Sequence, residues 1–145
     1  MNARELSELV YSKFPELGTF EAVNDACYNY IFEGLHSKLF NASEAESASN
    51  EALKKKLVVL KEKVNPSVLG LTNSSLFLES ISKAVIEFSK INTFKSPSMK
   101  VQILESVIKE LRVCIDAEKE PETLFPFLLL VIIDANVDLI LFNLQ

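Results

Sequence analysis

Histidine occurs once, cysteine twice and glycine three times in this 145-residue chain, and tryptophan is absent. Each scarcity removes a class of chemistry. Three glycines leave no room for a phosphate loop or a dinucleotide fingerprint, both of which need glycine where backbone approaches phosphate. Ser-His-Asp and Cys-His catalysis would each depend on His36, the one imidazole, which sits among Leu35, Lys38 and Leu39 at no supporting spacing. Cys27 and Cys114 lie far apart in apolar stripes without a metal-ligand neighbour, so no zinc site, haem motif or redox pair can be assembled. They read as small buried hydrophobes in a reducing compartment. No metal and no cofactor is expected.

Positive charge is also short. Fifteen bases against 20 acids offer no general field for nucleic acid or anionic lipid. The bases that cluster, Lys54, Lys55, Lys56, Lys61 and Lys63, are interrupted by Glu51 and Glu62 and read as a solvated helix face. The N-terminus, with a charge every few residues, has no apolar stretch of the kind a secretory signal needs, so the simplest location is the cytoplasm.

What the chain does have is helical periodicity. Apolar residues recur at spacings of three and four, and almost no window alternates with period two. The expectation is one all-α domain over residues 1–145, a layered bundle of about six or seven helices. A short helix is expected from Ala3 to Phe14, and a long one from Thr19 to Asn41 with Phe20, Val23, Cys27, Ile31 and Leu35 on one face. Gly34 inside it, at a helix cost of roughly 1 kcal/mol, suggests close packing. The polar stretch from Asn41 to Asn50 reads as a loop before a third helix, Glu51 to Val64. Asn65-Pro66 then opens a short helix through Leu71. Asn73 or Ser74 caps a fourth long helix with the stripe Phe77, Ile81, Ala84, Phe88 and Ile91. Ser96-Pro97 opens a fifth, with Val101, Leu104, Ile108, Leu111 and Ile115 facing inward.

The last quarter is the most apolar. Ten residues run from Leu124 to Ile133 without a polar side chain, followed by Asp134, Asn136, Asp138 and Asn143. As a membrane span it is marginal: each apolar residue favours insertion by about 0.3–0.6 kcal/mol, while Asp134 and Asp138 each oppose it by about 2.5–3.5. The two aspartates, four apart, share a face as a water-exposed helix edge requires, and no Lys or Arg flanks the run. A core helix or a partner-binding groove fits better than a membrane span.

Several residues here occur in a familiar order. Glu122 is followed by Phe125-Pro126, an apolar helix, Ala135-Asn136 and then Asn143-Leu144-Gln145. Upstream lie Lys95, Pro97 and Lys100, then Asn65-Pro66 with Leu69, and a Tyr28 to Phe40 helix. From about Ala22 to Gln145 this combination resembles the vacuolar-protein-sorting-nine catalytic domain, which stimulates GDP release from Rab GTPases of the early-endosome (Rab-five) class. The resemblance implies a catalyst of nucleotide release rather than of covalent chemistry, cytoplasmic, monomeric and recruited to early endosomes. It implies a catalytic carboxylate at Glu122, where the family usually has Asp, reaching the GTPase phosphate-loop lysine. It also implies a groove wall at Pro126, Leu129, Leu130, Ile133 and Asn136. The family commonly has Pro-Pro after its Ala-Asn pair, where this chain has Val137-Asp138. The family domain continues beyond its Asn-Leu-Gln triplet into a stretch carrying a functional tyrosine and the second groove wall, so this chain reads as C-terminally truncated. The alternative is a non-catalytic helical scaffold or adaptor that uses the same groove to hold a partner protein.

Overall fold

The computed structural model describes residues 2–71, 75–118 and 121–143. The protein is all-α: among the described residues there are seven α-helices, three 3-10 turns and no strand. Two compact units are present, Met1–Asn41 with Lys95–Met99, and Ala42–Phe94 with Lys100–Gln145.

The first unit is a helical hairpin. Helix α1, Ala3–Lys13, starts on a capping box in which the Asn2 side chain accepts from Glu5 N–H and Glu5 accepts from Asn2 N–H, both at 2.9 Å. A 3-10 turn at Pro15–Leu17 leads to α2, Phe20–Leu39, capped by Thr19. The two helices pack through an edge-to-face contact of Tyr11 and Phe20 at 5.7 Å, with Val23 buried. Of the expected α2 stripe, Phe20, Cys27 and Ile31 are half-buried and Leu35 is exposed. Gly34 faces open space, so close packing does not explain it. His36 is half-buried and stacks on Phe40 at 4.9 Å. Ser96 and Ser98 both donate to the Asn29 side-chain oxygen, and Ser96 Oγ accepts from Met99 N–H at 3.4 Å, which caps the helix that Pro97 begins.

The second unit holds the main core. Helix α3 runs Glu44–Lys63, seven residues earlier than the sequence reading placed its start. The reason is local: Ser43 and Glu46 form a capping box, which outweighs the polar, small-residue look of the segment. A 3-10 turn at Pro66–Leu69 follows, held by Asn65, whose side chain accepts from Val68 N–H at 3.0 Å. Helix α4, Ser75–Ser89, buries the expected stripe: Phe77, Ile81, Ala84 and Phe88 all face the core, and so does Ile91 just past its end. The caps expected at Asn73 or Ser74 lie outside the described residues.

Helix α5, Pro97–Glu118, corrects the reading by one residue position. Its core face is Ile103, Val107, Leu111 and Cys114, whereas Val101, Leu104 and Ile108 are exposed. Both sets step by three and four along the helix, so periodicity alone could not choose between them. Packing chose: Leu111 is common to both sets, and the expected Ile115 is half-buried against the same core. Helix α6, Leu124–Ala135, crosses this core with Phe127 edge-to-face on Phe77 at 5.5 Å. A short helix, α7, Ile140–Asn143, closes the described part of the unit with Ile140 buried. Among the described residues no helix is long and apolar enough to cross a membrane.

Candidate functional site

Helix α6 carries most of the residues that the sequence singled out, and its exposed side is narrow. A 3-10 turn at Pro121–Thr123 runs straight into it. Thr123 therefore keeps a helical backbone (φ −69°, ψ −13°), and its side chain makes no cap hydrogen bond. Pro126, third in the helix and half-buried, costs the helix nothing, because the first four N–H groups have no intrahelical partner. Glu122 is exposed, and it stands at the positive end of the α6 dipole, where a carboxylate is favoured by about 0.3–1 kcal/mol.

From this end a strip can be followed along the helix. Phe125 is 73% exposed, Leu129 four residues on is half-buried, and Leu128 and Ile132 flank it half-buried. Leu130 and Ile133, expected on the groove wall, are core residues at 4% and 2% exposure. The structure thus groups Glu122, Phe125, Pro126 and Leu129 at an accessible face and sets Leu130 and Ile133 behind it. Phe125 was not among the expected contact residues. No sequence signal could have selected it, because every position of the run is apolar and the pattern has no period.

Asn136 ends α6 in the left-handed conformation (φ 41°, ψ 51°), its N–H bonded to Ile132 O at 3.1 Å. This is the C-cap geometry that Asn tolerates better than other side chains. Its Oδ1 is buried without a hydrogen-bond partner. Asn136→Gly relieves both the backbone strain and the orphaned acceptor, so it is expected to raise stability by roughly 1 kcal/mol in urea denaturation. A loss of stability instead would mean that the side chain is satisfied in solution.

Beyond Asn136 the chain is pinned by polar contacts rather than by apolar ones. Asp134 and Asp138 do not form one solvent-facing helix edge, because α6 ends at Ala135 and Asp138 lies in the turn. Both face α3. Asp138 pairs with Lys54, and Asp134 receives Lys61 at its carbonyl (2.9 Å) and its carboxylate (3.6 Å). The Asp138 carboxylate holds the Lys54 ammonium above its ordinary pKa, first by the hydrogen bond and then by charge. Asn50, expected at the end of a loop, is buried inside α3 and accepts from Leu141 N–H at 2.9 Å.

Asn92 donates to Asp138 O at 2.8 Å and accepts from Asn143 Nδ2 at 2.8 Å. Lys100 in turn donates to Asn143 Oδ1 at 2.6 Å, and burial lowers the pKa of its ammonium. Lys100 and Asn143, two residues of the motif order noted in the sequence, thus meet directly across the fold. Their contact is architectural: it ties the start of α5 to α7 and so fixes the end of α6. Among the described residues no group of three or more His, Cys, Asp or Glu is placed to hold a metal ion.

Residues 81–145 match the family model of the Vacuolar sorting protein 9 (VPS9) domain. No curated protein and no solved structure matches the chain. The matched span takes in α6, its left-handed Asn136 cap and the Lys100–Asn143 contact, while the upstream likenesses at Tyr28 to Phe40 and at Asn65-Pro66 fall outside it. Residues 81–145 are thus similar to a VPS9 domain, a family whose general activity is guanine-nucleotide exchange on Rab GTPases.

Proposed function

We propose that the protein promotes GDP release from a Rab GTPase of the Rab-five class, in the cytoplasm and on early endosomes. The observation that carries this reading is the exposed Glu122 carboxylate at the start of α6, adjoining the exposed Phe125. A Rab holds its nucleotide through Mg²⁺ and through a phosphate-loop lysine paired with the phosphates. An exchange factor must bind the nucleotide-free state better than the loaded one, since equal affinity for both shifts nothing. A carboxylate offered to that lysine does this: it supplies an anion when the phosphates leave and competes with them while they stay.

The groups on this chain divide the work. Glu122 supplies the charge at the start of α6. Phe125, Pro126 and Leu129 supply an apolar contact for the GTPase, with Asn136 at the far end of the helix. Leu130 and Ile133 hold α6 in place from behind. Glu122 is one methylene longer than the Asp usual in the family, so its carboxylate works from a displaced position, and rate is sensitive to such placement.

Release of fluorescent GDP from purified endosomal Rabs tests the reading, with Glu122→Ala beside the parent. The parent is expected to accelerate release. The variant is expected to be about 10- to 100-fold slower, the equivalent of about 1.5–3 kcal/mol for a hydrogen bond to a charged group. Equal acceleration by both would remove Glu122 from the mechanism. A parent that binds the GTPase without accelerating release would make the protein a scaffold.

A further inference from the structure

We propose that the outward face of α3 is a docking surface for an anionic membrane. This surface is separate from the α6 face and does not rest on the exchange reading. In the sequence the lysines of this helix look like one mixed-charge run. The structure sorts them into two groups. Lys54 and Lys61 lie on the side toward Asp138 and Asp134 and pair with them at the surface. Lys55, Lys56 and Lys63 are exposed on the other side.

These three surround an apolar centre. Val59 is 50% exposed at its middle, and Val58 and Leu60, also exposed, stand about a quarter turn to either side of it. On a helix the nearest surface neighbours of a residue are those three and four positions away. For Val59 these are Lys55, Lys56, Glu62 and Lys63, so three of the four are cations and one is an acid. The chain as a whole has a net charge of −5, so the patch opposes the general sign of the protein.

The chemistry selects a lipid surface over an acidic protein. Tight protein contacts centre on aromatic or Arg anchors seated in pockets, and this patch has neither. A headgroup layer instead accepts small aliphatic side chains at its boundary, while lysines extend their stems and keep their ammonium groups among the phosphates. A single patch of this size gives reversible binding, since firm anchoring takes a second signal.

Co-sedimentation of the full chain with vesicles tests the proposal. Phosphatidylcholine vesicles containing about a third phosphatidylserine are compared with pure phosphatidylcholine. Binding is expected to the first and not to the second, and to weaken as salt rises from about 0.05 to 0.5 M. Each lysine near an anionic surface is worth about fivefold in partitioning, so Lys55→Gln/Lys56→Gln/Lys63→Gln together should lower it roughly a hundredfold. Lys109→Gln, an exposed lysine on α5, should change it less than twofold, and circular dichroism should show both variants with the parent's helix content.

Binding that ignores phosphatidylserine overturns the proposal, as does a triple variant that binds like the parent or a Lys109→Gln variant that loses as much as a patch lysine. A parent that ignores both vesicles and binds polyglutamate assigns the patch to an acidic protein and overturns it too.

Discussion

Phe127→Ala is expected to destabilise the protein by about 3–5 kcal/mol, the usual cost of emptying a phenylalanine site in a packed core. Phe127 is fully buried, stacks edge-to-face on Phe77 and belongs to the cluster shared by α4, α5 and α6. Domains of this size are stable by only about 5–15 kcal/mol, so the loss is a large fraction of the total and should lower the melting temperature by about 10 °C. Urea denaturation followed by circular dichroism measures it. A loss below about 1 kcal/mol would mean that the ring is not packed in this core. Because Phe127 lies between Pro126 and the half-exposed Leu128 and Leu129, the same substitution should also loosen the accessible face of α6.

The second large effect distinguishes the two faces of α5. Val107 is 1% exposed and Ile108 is 37% exposed, although they are sequence neighbours of similar character. Val107→Asp puts an unpaired carboxylate into the core, which costs several kcal/mol even after the group takes up a proton. Failure to fold, or a loss above about 4 kcal/mol, is the expected result. Ile108→Asp at the surface should stay within about 1 kcal/mol of the parent. Parallel expression and urea titration of the two variants decide the matter, and the opposite ranking would restore the face that the sequence suggested.

The contrast between α4 and α5 shows where sequence reading succeeds and where it stops. On α4 the residues outside the stripe are largely polar, so Phe77, Ile81, Ala84 and Phe88 form the clearest apolar face available. On α5, apolar residues occur on two adjoining strips, Val101–Leu104–Ile108 and Ile103–Val107–Cys114, and each satisfies helical periodicity. Which strip turns inward depends on what α4 and α6 present to it. Helix α6 is the extreme case. An unbroken apolar run has no period at all, so neither the exposure of Phe125 nor the burial of Leu130 and Ile133 was legible. The start of α3 was missed for a different reason: its signal, the Ser43–Glu46 capping box, was present but was outweighed in the reading by the polar composition around it.

The candidate site was legible in its ends rather than in its middle. Glu122 before a helix is recognisable as an acid near a positive dipole, and Asn136 after it as a residue suited to a left-handed cap. The contacts that hold these ends join distant parts of the chain: Lys100 with Asn143, Asn50 with Leu141, and Lys54 and Lys61 with the aspartates.

By itself, then, the sequence determined that this protein is all-helical and roughly where its helices lie. Those properties depend on residue inventory and on interactions within one or two helical turns, which a linear pattern records. Only the tertiary structure decided which face of α5 is core, which lysines of α3 meet aspartates, and that Phe125 is exposed while Leu130 and Ile133 are buried. A helix can satisfy its own hydrogen bonds in any rotation about its axis. Its facing is therefore set by the elements packed against it, and those come from elsewhere in the chain.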